Sequence, residues 1–381
     1  MFSKVSLLVA VLLASTALSY ASQSQKGPNC ERALVKTQEV LNLYKRLALS
    51  RGVSEQDFNR VVNPENFEIA ILEKGTYKVA ESEVDLVEIE GAPPPEKFRD
   101  AILTHSIEVA LWPETQLQWF SVTGENPSRF RYFSAKNRDG NDGDQIIVDG
   151  KHHLANHPVE QVTWWSVIEY ANRKSKLMGL KPAYDTSGIQ FSGRFEEGSL
   201  YAVSGAENLK INAPNGDIYR AEGFRLPTVM EWEVFARAGA ETGYFPFEIP
   251  LEFLSKKHSD HSAKMYKIMH VLDKHAWFSH NTHTTRAVGQ KLANALGLRD
   301  VLGNVFEMLW DAHEGKSYPE DILLADYAGP PPNHSDPIWA MRGGSYHHHF
   351  DRLTVNQSSW TWQQQFPWVG FRLVRTIDPT M

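Results

Sequence analysis

The 381-residue chain has a single cysteine, Cys30, and none after it. That excludes an internal disulfide and any centre built on a pair of thiolates; a lone thiol is left free or for an intermolecular bridge. There is no excess of basic charge either. Lysine and arginine number 39 against 46 aspartates and glutamates, for a net charge of −7. With no basic stripe to concentrate what there is, nucleic acid is not an expected partner. No apolar run of membrane length follows residues 1–21, so no transmembrane segment is expected in the mature chain. Repeats and low-complexity tracts are missing too. The composition, 42% hydrophobic and 22% charged, is that of a folded globular protein.

What is present begins with an export signal. Lys4 supplies a positive start, residues 5–18 an apolar stretch, and Ser19-Tyr20-Ala21 the small residues of a cleavage site. Residues 1–21 therefore read as a signal peptide, and the protein as exported, periplasmic or secreted. Residues 22–65 read as a helical extension, with Leu34, Val40, Leu41 and Tyr44 at near-helical spacing, Gly52 as a stop and Ser54 as a second N-cap. From residue 66 the pattern shifts to short strand candidates over 67–72, 76–79, 84–89 and 102–111, with a helix opening at Trp112-Pro113-Glu114. Residues 163–178 form the clearest helix, capped by Thr163, and Thr228 with Glu231 makes a capping box for another. Residues 185–224, rich in Gly, Ser and Asn, read as a long loop. The run Asp139, Asn141, Asp142, Asp144 has the composition of a calcium loop without its spacing. No βαβ rhythm is present, so the class is α+β with much irregular structure.

Ten short motifs then occur in one order: ENPSRF (125–130), HPVEQVTW (157–164), GFRLPT (223–228), EWE (231–233), AWFSHN (276–281), VGQK (288–291), NALGL (294–298), DVLGNVFE (300–307), RGGS (342–345) and GFR (370–372). Each is weak alone; the ordered set resembles the formylglycine-generating enzyme, or sulfatase-modifying factor, family over residues 66–376. The resemblance implies a C-type-lectin-like α+β fold. It also implies a structural Ca²⁺ held by the side chains of Asp300 and Glu307 and the carbonyls of Gly303 and Val305, a donor mix that suits this ion. A second calcium would use Asn281 and Thr282, but its remaining ligands are not evident in residues 283–287.

The family's oxidase works through two cysteines just after the GGS turn, which bind copper. This chain has no cysteine there, so no copper-dithiolate site is expected. In their place stand His347, His348 and His349. Imidazole ligates transition metals, and on a strand His347 and His349 would share a face, so the three are weak candidates for a catalytic metal site. Tyr346, Trp360, Trp362 and Trp368 are candidates for an aromatic groove that takes a peptide, glycan or small molecule. Three functions follow: a ligand-binding member without the oxidase chemistry, an oxidoreductase of a non-thiol branch, or an envelope structural or assembly protein with a protein partner.

Overall fold

The computed structural model describes residues 28–62, 69–80, 98–132, 145–240, 245–247, 261–313, 318–319, 322–329 and 338–377. Residues 1–21, read as a signal peptide, the 84–89 strand candidate and the acidic run 139–144 lie outside them. Among the described residues no helix is long and apolar enough to cross a membrane.

The chain opens with two helices, α1 (Pro28–Ser50) and α2 (Glu55–Val61). Gly52 reverses the chain at φ +91°, and Ser54 caps α2 by accepting from the Asp57 N–H. These helices are not a free appendage. Ala48, Val53, Phe58 and Val61 share a buried apolar cluster with Leu117, Phe120, Ile146 and Val148. Tyr44 enters the main core, where its hydroxyl lies 3.2 Å from that of Tyr170. Tyr170 in turn donates to Glu114, which also pairs with the buried Lys174.

Strands β1 (Ile69–Leu72), β2 (Gly75–Ala80), β3 (Phe98–Leu103) and β4 (Ile107–Ala110) follow. The single strand read over 102–111 is thus two strands, broken by a turn at 104–106. Helix α3 (Gln116–Thr123) starts later than Pro113 suggests, because Thr115 and Gln118 form a capping box at its head. A hairpin of β5 (Gln145–Val148) and β6 (Lys151–Leu154) leads to α4 (Trp164–Leu177), which Thr163 caps as expected. The loop read over 185–224 is largely ordered: β7 (Tyr184–Asp185) pairs with β10 (Lys210–Ile211), and β8 (Gln190–Ser192) with β9 (Tyr201–Ser204). Pairs this short fall below the length at which alternation shows in a sequence. Helix α5 (Val229–Arg237) carries the expected capping box, and α6 spans His261–Leu272.

The last six strands are β11 (Phe306–Ala312), β12 (Leu324–Ala325), β13 (Trp339–Arg342), β14 (Ser359–Thr361), β15 (Val369–Gly370) and β16 (Val374–Thr376). They build three small sheets, β14-β13-β11-β15, β12-β3-β2 and β1-β4-β16. The third sets the first and last strands on either side of β4, so the two ends of the domain close on each other. Most of the aromatic content is core. Trp164 stacks on Trp339 (5.0 Å, 13°), Trp165 meets Trp164 edge-on, and Trp119 stacks on Tyr170.

Candidate functional site

Three segments from distant parts of the sequence enclose a cleft of about 450 Å³, lined by Arg129, Phe130, Tyr132, His283, Tyr346, His347, Pro367 and Trp368. The first segment follows α3. Asn126 fixes its turn by accepting from the Ser128 N–H (3.1 Å), and its amide donates to Gln116 (2.9 Å). The buried Glu160 then receives the Phe130 N–H at 2.8 Å. The second segment leaves β13 through Gly343 and Gly344, at φ +93° and +71°. A side chain at Gly343 would set its Cβ 2.5 Å from the Val301 carbonyl oxygen, so this turn requires glycine. The Tyr346 N–H donates to the Asn304 carbonyl, and the Tyr346 ring stands edge-on to Phe130 at 5.4 Å. The third segment enters β15, where the Trp368 carbonyl accepts from Phe306 N–H. His347 stacks on Trp368 at 5.3 Å and 19°.

The three adjacent histidines diverge. Residues 346–348 form a turn, with the His348 N–H donating to the Ser345 carbonyl, so the alternation of a strand does not apply. His347 faces the cleft. His348 packs edge-on against Phe306, with Nδ1 2.7 Å from Ser345 Oγ. Burial, helped by His347 and Arg352, lowers its pKa to about 4. His349 is exposed beside Asp351, at 3.6 Å. Of the other histidines, His153 and His157 are interior, His153 beside Asn126 and His157 bonded to Thr285; only His283 joins the cleft. Among the described residues no three His, Cys, Asp or Glu side chains gather around one point.

The aromatic candidates divide. Tyr346 and Trp368 line the cleft, but Trp360 and Trp362 do not. Those two sit on or just after β14, an edge strand, where they are 44% and 41% exposed and touch each other at 4.9 Å. Two positions apart on a strand, they share a face. Sequence reasoning gave Arg129, Phe130, Tyr132 and Pro367 no role at the cleft, and considered His283 only as a further metal ligand beside His347 and His349. The ENPSRF motif contained the first two, but only as a family marker.

The positions given to calcium have other partners. Glu307 is buried and accepts from Arg372 Nε (2.9 Å to each oxygen), Arg372 Nη2 (2.7 Å) and Trp232 Nε1 (2.7 Å). Three N–H donors thus engage both oxygens of the carboxylate. Asp300 accepts from the Gly289 N–H, and burial raises its pKa. At the second position the Asn281 amide group donates to Asp273 and the Ala276 carbonyl, and Thr282 Oγ1 accepts from Arg286. As arranged, the Glu307 and Asn281 side chains are engaged by protein groups rather than held open for an ion.

The family model for the sulfatase-modifying factor enzyme 1-like domain matches residues 38–377, so the match begins inside α1. A protein named "Chaperone protein LppX", from Paenibacillus barcinonensis, is 29% identical over 272 residues, covering 69% of this chain and 78% of its own length. Among solved structures, Treponema denticola variable protein 1 superposes with a TM-score of 0.54 at 22% identity, covering 81% of this chain and 95% of its own. PvdO from Pseudomonas aeruginosa does so at 0.50 and 16%, covering 81% and 94%. At these identities the structural likenesses establish the fold alone.

Proposed function

This chain belongs to the sulfatase-modifying factor family, and from that premise we propose that it is an exported, polypeptide-binding member that works without the family's oxidase chemistry. The observation that carries this reading is the cleft. It opens beside the turn that follows Gly343-Gly344, where the family's thiols would lie, and it offers aromatic walls in their place. Aromatic rings with a few polar groups suit the capture of a large side chain. The similarity to a protein named as a chaperone supports a polypeptide as the ligand, and the signal read in residues 1–21 supports export.

The oxidoreductase reading needs a metal, and His347, His348 and His349 face three different surroundings. The peptide and glycan readings rested on the same four aromatics, of which Trp360 and Trp362 lie outside the cleft. An immobilised library of short peptides probed with the mature protein tests the proposal. A subset of peptides should be retained, and Trp368→Ala should weaken that retention by tenfold or more, the scale of losing about 1.5 kcal/mol or more of aromatic burial. No retention of peptides, with binding on a glycan array instead, would overturn it. So would stoichiometric iron or copper that is lost on His347→Ala.

A further inference from the structure

Arg129 lines the cleft with its guanidinium 5.8 Å from the Phe130 ring centre, and it is exposed. Among the described residues no carboxylate forms an ion pair with it, unlike Arg225, Arg237, Arg372 and Arg375, each of which has one. The acid beneath this wall is Glu160. It is fully buried, Oε1 accepts the Phe130 N–H, and Oε2 has no partner. Burial pushes its carboxyl well above the usual range, against the pull of the Phe130 and Arg129 amides and of the Arg129 and Arg131 charges. A carboxyl kept protonated there leaves the Arg129 charge uncompensated from within. Among the described residues no aspartate or glutamate lines the cleft. In a chain of net charge −7 this described lining is a local exception, a concavity with an unpaired cation and no acid.

The guanidinium fork matches a carboxylate through two parallel hydrogen bonds, and the surrounding rings can bury an apolar body beside it. A volume near 450 Å³ is at the small end for ligand clefts, room for the end of a chain more than for a run of it. We propose that the cleft captures the C-terminus of a partner polypeptide, with Arg129 taking the α-carboxylate and Phe130, Tyr346 and Trp368 enclosing an aromatic or large apolar last side chain. This rests on the polypeptide reading and narrows it to a chain end.

Three probes labelled at the N-terminus test it on the full mature protein. One is a short peptide ending in phenylalanine with a free carboxylate, the second is its C-terminal amide, and the third is an amide with an internal aspartate. The free acid should bind, and amidation should weaken it by about tenfold to a hundredfold, the range for losing a charge-assisted hydrogen-bonded pair. Arg129→Gln should weaken the free acid equally and leave the amide unchanged, so that the two losses do not add. Arg129 is exposed, so the variant should melt with the wild type, which separates binding from folding. Equal binding of acid and amide would overturn the proposal, as would an Arg129→Gln loss of the same size on both. Tight binding of the internal-aspartate amide would overturn it in favour of an acidic side chain. If the library retains peptides and none of the three probes binds, the chain-end claim falls and the polypeptide reading stands; if neither binds, both fall.

Discussion

Glu307 and Arg129 both belong to motifs that mark the family, yet their surroundings are opposite. Glu307 lies on β11, buried, with both carboxylate oxygens engaged by Arg372 and Trp232. Arg129 lies on the wall of a cleft where, among the described residues, no acid meets it. A buried charge with a full set of partners is part of the fold; an exposed charge with none, facing a concavity, is available to a ligand. The contrast separates what this family needs in order to fold from what this member has free to use. The Gly343-Gly344 turn is held without cysteine: the Gly303 N–H donates to the Gly343 carbonyl, and Arg342 beside it donates to the Val355 carbonyl.

The sharpest way to break the comparison is to remove one partner on the saturated side. Arg372→Ala leaves the Glu307 carboxylate buried and frees the Ala110, Leu111 and Arg299 carbonyls that Arg372 also serves. Loss of one partner of a buried pair costs about 3–5 kcal/mol, so denaturant unfolding should show a loss of that order or no folded protein. Arg129→Ala should move stability by no more than about 0.5 kcal/mol. Similar losses for the two variants would erase the distinction.

Acid should act next. Burial lowers His157 to about 3 and His153 and His348 to about 4. Above about pH 6.5 all three are neutral in both folded and unfolded chains, and their contribution to stability is intact. As the pH falls below that, the unfolded chain takes up protons that the folded one refuses, and stability drops by up to about 1.4 kcal/mol per group per pH unit. The raised carboxyls of Glu160, Asp300 and Asp311 act in the opposite sense, so the histidine contribution is read by difference. Between roughly pH 6.5 and 4 the wild type should lose more stability than His157→Gln. Parallel profiles for the two proteins would mean that the His157 ring is not held neutral.

The smallest effect is expected from calcium. With Glu307 filled by Arg372, chelation should leave the melting temperature unchanged. A clear drop would show that an ion displaces these contacts, and that the region resembles its relatives more than its hydrogen bonds indicate.

Much of the fold was legible. Thr163 and the Thr228–Glu231 box marked their helices because caps are local chemistry, readable from adjacent residues. The ordered motifs placed the domain because several fix a turn or a cap with little freedom, as at Gly343 and Thr228. The short pairs between 184 and 211 were not legible, since two to four residues carry no period. The site was half legible. Tyr346 and Trp368 could be named from the stretch after the glycine turn, but Trp360 and Trp362 looked equivalent in sequence and fell on an edge strand. Arg129 was missed for a different reason. A cleft wall formed by residues more than two hundred positions apart leaves no local pattern, and an arginine's lack of a partner is visible only in three dimensions. The histidines misled because the alternation argument assumed a strand where the chain makes a turn.

The account turns on the cleft, and not the exposed tryptophan pair, being the binding surface. Hydrogen–deuterium exchange of the mature protein with and without a retained peptide tests that most directly. The account predicts slowed exchange at residues 129–132, 346–348 and 368, with residues 359–362 unchanged. Protection confined to 359–362, with the cleft exchanging as in the free protein, would contradict it.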